Sequence, residues 1–273
     1  MLDKDAIREL VSPQAITAAH HAVQDALSSA GVVALPSHFE PHDLERFLPA
    51  RRRMRGSMET PVLSDFAAYI SSHSETGATV FVDGAQMAAQ AVLNLGSPSG
   101  PGHADHLALY RPTKTAAYAA MRAIATGSAH TQQAVAEFFE DWLDASRMEF
   151  FSSTDAVTPG RAIAAVRNVT IDAARKVEAR ELQLGASRSS FESVTASSSD
   201  TLPTHVYFRC SPHVGMRDRL FVLRVGVVTA EKPKFTLRIV NAELHIEEMA
   251  AELSAAVRGA VSGAAVHIGT YSA

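Results

Sequence analysis

The chain has 273 residues, with 25 basic against 29 acidic side chains, a formal net charge of −4, and 47% hydrophobic residues. That apolar share can build a real core and excludes wholesale disorder. The near-neutral balance argues against a dedicated duplex-DNA coat, which needs a basic excess to displace counterions.

One cysteine, Cys210, excludes an internal disulfide and a cysteine-built zinc cage. It lies in an alternating apolar stretch and reads as a buried, reduced thiol. The opening MLDKDAIREL lacks the apolar region of a signal peptide. No apolar run approaches the ~18 residues of a spanning helix. The expectation is a protein of the cytosol with no membrane contact.

Residues 3–30 read as helix, interrupted at Ser12-Pro13, with Ile16, Ala19, Val23 and Leu27 at helical spacing. VVAL at 32–35 reads as a short strand and 43–48 as a helical turn. The basic run RRRMRG (51–56) follows. Thr60-Pro61 opens a helix with Leu63, Phe66, Ala67 and Ile70 on one face. TVFVDG (79–84), AQAVLNLG (89–96) and HLALYRPT (106–113) predict three strands of an antiparallel meander. Helices are predicted over 115–125, 131–148 and 159–172. The second is the clearest, with Val135, Phe138, Phe139, Trp142 and Leu143 at i, i+3, i+4, i+7 and i+8.

From about 174 to 240 the pattern alternates: ARKVEARELQL, HVYFRC, RLFVLRVGVV and KFTLRIV read as strands. A Ser/Thr-rich loop, 187–201, separates the first two. Ile246, Met249, Leu253 and Val257 mark a C-terminal helix, and AVHIGTY a last strand. The expected class is α+β. Residues 1–172 form a mixed region with several helices and a short meander. Residues 173–273 form a β-rich region with a terminal helix, and a core shared between the two stays open.

Several segments together carry a family resemblance. They are Ala34-Leu35-Pro36, the Leu44-Glu45 turn, Arg52 to Gly56, and Phe66-Ala67-x-Tyr69. Ala91-Val92-Leu93-Asn94, Gly102-His103-x-Asp105-His106 before Ala108, and the strands from Leu202-Pro203 through Arg219 to Val240 continue it. The chain resembles the YfdQ-like family of phage and prophage proteins of unknown function. The resemblance implies a bacteriophage or prophage setting, near recombination or replication genes, and brings no catalytic residue with it.

Three constellations bear on chemistry. Arg51, Arg52, Arg53 and Arg55 fall within five residues, and guanidinium forks suit phosphates. The opposing reading is a solvated or ion-pairing loop set against the acidic 137–144 face. His103, Asp105 and His106 offer three potential metal ligands in four residues, but no HExxH or further carboxylate partner stands out. Asp105 is equally a turn residue. The acidic face Glu137, Glu140, Asp141 and Asp144 is structural, or a mimic of a nucleic-acid surface. His20-His21 reads as a solvated helix face. Nucleophile elbows, Walker loops and dinucleotide fingerprints are absent, so no catalytic residue and no cofactor are assigned.

The leading functional expectation is a non-enzymatic, homo-oligomeric phage accessory protein in the host cytoplasm. It would act with nucleic acid or with phage recombination and replication proteins through the four arginines. One alternative is a counter-defence binding protein that blocks a host factor or sequesters a nucleotide signal. The other is a metal-dependent hydrolase built on the His103/Asp105/His106 loop.

Overall fold

The computed structural model describes residues 16–18, 20–22, 48–144, 147–153, 155–169, 202–228 and 232–272. The readings at 32–35, 43–47, 174–184 and 187–201 lie outside the described residues, as does most of the helix over 3–30. The chain divides into two compact units, Met1–Met54 and Arg55–Ala273. In the first, the described residues 16–18 and 20–22 are helical, with Ile16 exposed.

The second unit is α+β and holds two large sheets and a two-stranded ribbon. Its elements in chain order begin with β1 (Gly56–Thr60), α1 (Leu63–His73), β2 (Thr79–Asp83), β3 (Ala88–Val92), β4 (Gly96–Ser97), β5 (Gly100–Pro101) and β6 (His106–Tyr110). Then come α2 (Ala116–Ile124), β7 (Thr126–Thr131), α3 (Gln132–Asp141), β8 (Met148–Ser152), β9 (Asp155–Val157) and α4 (Pro159–Asn168). The chain continues through β10 (His205–Cys210), β11 (Arg219–Val228), β12 (Lys234–Ile239), α5 (Ala242–Ala260) and β13 (Ala265–Ile268).

The first sheet has the order β1-β6-β3-β2-β13. Its centre is the expected meander, β2, β3 and β6 paired antiparallel. Its edges are parallel additions, β1 on β6 and β13 on β2. Phe66 and Ile70 of α1 are fully buried against this sheet with Val80, Val82 and Leu93. The second sheet is antiparallel throughout, in the order β7-β12-β11-β10-β8-β9. It draws strands from both sides of residue 172, so the two expected regions share one core there. Phe139, Phe150, Phe208, Phe221 and Phe235 fill that core, each worth about 2–3 kcal/mol of burial.

Helix α5 ties the sheets together. Met249 packs into the core of the second sheet, while Leu253 and Val257, one and two turns on, pack into that of the first. The expected stripe is therefore right from Met249 onward, but Ile246 and Leu244 are exposed.

One helix is shorter than its periodicity predicts. The reading 131–148 is corrected to Gln132–Asp141. Val135, Phe138 and Phe139 are buried, but Trp142 caps the helix and Leu143 is exposed. The Asp144 carbonyl then accepts the N–H groups of Arg147 and Met148 in a turn. From Met148 the burial period is two, with Met148 and Phe150 inward, which is a strand.

Candidate nucleic-acid interface and adjoining cleft

Strand alternation decides what the second sheet shows on its outward face. In β10, Val206, Phe208 and Cys210 are buried, so His205, Tyr207 and Arg209 lie on the opposite side. In β11 the outward set includes Leu220, Val222 and Arg224, and in β12 it is Lys234, Thr236 and Arg238. In β8 it is Glu149 and Phe151. Pairing puts these side chains beside one another: Glu149 opposite Tyr207, Phe151 opposite His205, His205 opposite Arg224, and Arg224 opposite Arg238. Arg147 lies one residue before β8, where its carbonyl accepts the Arg209 N–H at 2.7 Å, so these two arginines are also cross-strand neighbours.

The face therefore carries Arg209, Arg224, Arg238 and, farther along β12, Lys234, with Glu149 the one carboxylate on it among the described residues. Arg147 stands at its edge, its guanidinium over Trp142. Among the described residues no carboxylate lies within ion-pairing distance of any of the five. Like charges directly opposite on a sheet are destabilising by a few tenths of a kcal/mol or more, and here two arginine pairs sit that way. Phe151 and Tyr207 form an aromatic step among them, ring centroids 4.6 Å apart. His205 is held below the ordinary imidazole range by burial first and by the Arg224 charge second. It is neutral at neutral pH.

At the Arg147–Arg209 corner the face runs into a cleft of about 500 Å³. Its walls are Trp142, Arg147, Arg209, Cys210 and Asp218, with the first residues of α2. The Arg147 guanidinium lies 5.5 Å from the centre of the Trp142 ring. Thr115 caps α2 by accepting the Tyr118 N–H, and its own hydroxyl donates to the Ser211 carbonyl. The N–H groups of Ala116 and Ala117, at the start of the helix, have no intrahelical acceptor. Burial pushes the Cys210 thiol up to about 12, with Arg147 opposing and Asp218 adding to the shift. The thiol is protonated and inert.

The residues singled out from the sequence lie elsewhere. Arg51, Arg52 and Arg53 end the first unit, and Arg55 begins the second. Arg51 and Arg52 are exposed, Arg53 and Arg55 half-buried, and Arg52, Arg53 and Arg55 are each already engaged by a neighbour. On the acidic helix, Glu140 takes a bidentate bond from Arg167 of α4.

The His103–His106 loop is bound up with its own framework. Asn94 is the hub: its amide donates to Asp105 at 2.9 Å, its side-chain oxygen accepts the His106 N–H, and its carbonyl accepts the Ala104 N–H. His106 is 1% exposed, and its Nε2 is hydrogen-bonded to the Tyr69 hydroxyl at 2.9 Å. His103 is exposed. His103, Asp105 and His106 are thus not brought together, and no cluster of three metal-ligating side chains occurs among the described residues.

The basic face was missed because its members are scattered along the chain, at 147, 209, 224, 234 and 238, on three strands and a turn. The available signal was the outward position of one basic residue in HVYFRC and RLFVLRVGVV and of two in KFTLRIV. Fold and site together define an α+β protein presenting a basic, aromatic-bearing sheet face beside an arginine-walled cleft. The chain belongs to the family described as "Uncharacterized conserved protein (DUF2303)", whose model matches residues 5–271. Neither a curated protein nor a solved structure matches it. No helix among the described residues is long and apolar enough to cross a membrane.

Proposed function

We propose that the protein is a non-catalytic accessory protein that binds single-stranded nucleic acid on the outward face of its second sheet. The observation that carries this is the placement of Arg209, Arg224 and Arg238 on the face that holds Phe151 and Tyr207, with Lys234 farther along β12 and Arg147 at the edge. Guanidinium and ammonium groups neutralise phosphates, and exposed rings stack bases whatever their sequence. A base paired inside a duplex has no free ring face to offer, so single strands are favoured. The phage or prophage setting, the host cytoplasm and self-assembly are part of the proposal and rest on the resemblance described above. Arg51, Arg52, Arg53 and Arg55 are proposed as further phosphate contacts.

Fluorescence anisotropy with labelled single-stranded DNA, single-stranded RNA and duplex DNA at low salt tests the reading. Both single strands should bind more tightly than duplex. Tyr207→Ala should cost about 1–3 kcal/mol of binding, the range for one stacked base. Changing Arg224 and Arg238 to Gln should weaken binding further, and changing the four arginines at 51–55 to Ala should add a smaller loss. No binding at low salt, or binding indifferent to the sheet-face variants, would overturn the proposal.

A further inference from the structure

We propose that the cleft at the Arg147–Arg209 corner receives a phosphomonoester of a nucleoside, the terminal phosphate of a strand or of a free nucleotide. This rests on the nucleic-acid reading of the neighbouring face for its context, but on separate geometry for its substance.

Four observations lead there. First, the face of the sheet is open, whereas the cleft is concave. Its volume of about 500 Å³ suits a single nucleotide residue. Second, Arg147 and Arg209 are cross-strand neighbours without a carboxylate partner among the described residues. Their mutual repulsion is relieved by an anion set between them. A phosphomonoester carries about −1.5 to −2 charges near neutral pH, against one for an internal diester, so the relief is larger at a strand end.

Third, Arg147 is pre-positioned. Its guanidinium lies at 5.5 Å over the Trp142 ring, and Trp142 is itself set edge-on against the buried Phe208. A guanidinium resting over a ring still has N–H groups to offer a phosphate. The N–H groups of Ala116 and Ala117 are additional donors on the same wall. Fourth, Asp218 is on the cleft wall. A carboxylate there disfavours a bare anion and accepts from a hydroxyl or an amino group. That requirement is met by the sugar or base of a nucleotide and is not met by inorganic phosphate alone.

The test is anisotropy on the full chain with one labelled single strand in three forms: 5′-phosphorylated, 3′-phosphorylated and hydroxyl-ended. Adenosine monophosphate and inorganic phosphate serve as competitors. One phosphorylated form should bind about tenfold tighter than the hydroxyl-ended strand, the size of one added charge-assisted contact. Arg209→Gln and, separately, Arg147→Gln should bring that ratio to one. Arg238→Gln should weaken all three strands alike and leave the ratio intact.

Equal affinity for the three strands would overturn the cleft assignment and leave the sheet-face reading standing. Binding of adenosine monophosphate without strand binding would do the reverse, and would assign the site to free nucleotides. If inorganic phosphate competes as well as adenosine monophosphate, the nucleoside requirement falls.

Discussion

Arg219 shows how much one side chain can decide. It is 4% exposed, on the inward side of β11, and it bonds Glu248 and Glu252, one turn apart on α5. Removing it leaves two carboxylates one turn apart, but Glu248 is 45% exposed and Glu252 23%, so water screens them and the loss falls below the about 3–5 kcal/mol of a fully buried pair. Arg219→Ala should therefore lower stability by about 1–2 kcal/mol, read as a shift in the urea midpoint with little change in slope. A shift below 0.5 kcal/mol would remove the clamp from the account of how α5 is held. Gly102 is decisive in another way. A Cβ there would meet the Asn94 carbonyl oxygen at 1.9 Å, which is backbone and cannot turn aside. Gly102→Ala should destabilise by about 1–3 kcal/mol, the usual cost of overpacking.

Among the elements, the antiparallel strands of the second sheet set stability against the proposed binding. Arg224 and Arg238 are paired directly across β11 and β12. Replacing Arg238 by Thr removes the repulsion and adds a good strand former. The free protein should gain up to about 0.5 kcal/mol in thermal melts while single-strand affinity falls. A loss of both together would mean that Arg238 does structural work not described by its pairing. This face also marks the limit of what the sequence makes legible. Burial alternation in HVYFRC, RLFVLRVGVV and KFTLRIV is plain, because period two is local. Which outward residues become neighbours depends on the strand order β12-β11-β10-β8, and β8 precedes β10 by more than fifty positions in the chain. The run at 51–55 is conspicuous in one dimension only. The strands β1 and β7 escape notice for a related reason: GSMET and TGSAHT have little apolar alternation, and pairing with β6 and β12 makes them strands. The α3 boundary was hidden because Trp142 and Leu143 continue the helical spacing after the helix has ended.

At the scale of the whole molecule, two opposing charge patterns meet. The net charge is −4, yet the outward face of the second sheet and the Arg147 corner beside it carry five cationic side chains. On the proposed reading, local counterion release drives binding while the overall charge repels the polyanion. The logarithm of affinity against that of salt concentration should fall with a slope of about −0.7 for each neutralised phosphate, about −3.5 from these five alone and no steeper than about −6.3 with the four arginines at 51–55. Protons act on the fold as well. His106, His205, His213 and His245 are all held below the ordinary imidazole value of 6.5, burial being the largest cause in each. At His106 the nearby His73 adds to the lowering, while Glu75 and Asp105 oppose it. At His213 the second cause is Lys114. At His245 Glu248 opposes, and Arg219 lowers further. Below pH 6.5 the unfolded chain takes up protons that the folded chain refuses. Stability is therefore full above that pH and is lost as the pH falls through it, by at most about 1.4 kcal/mol per pH unit for each histidine. Melting temperature should be level from pH 8 to 7 and decline from 6.5 to 5.5, with a shallower decline in His106→Gln. A flat profile over the acid range would show that these imidazoles gain their protons in the folded state as readily as in the unfolded one. Because His205 lies beside Arg224 on the outward face, the proposed nucleic-acid binding should tighten over the same acid range in which the fold loosens. A bound phosphate raises the proton affinity of the ring next to it.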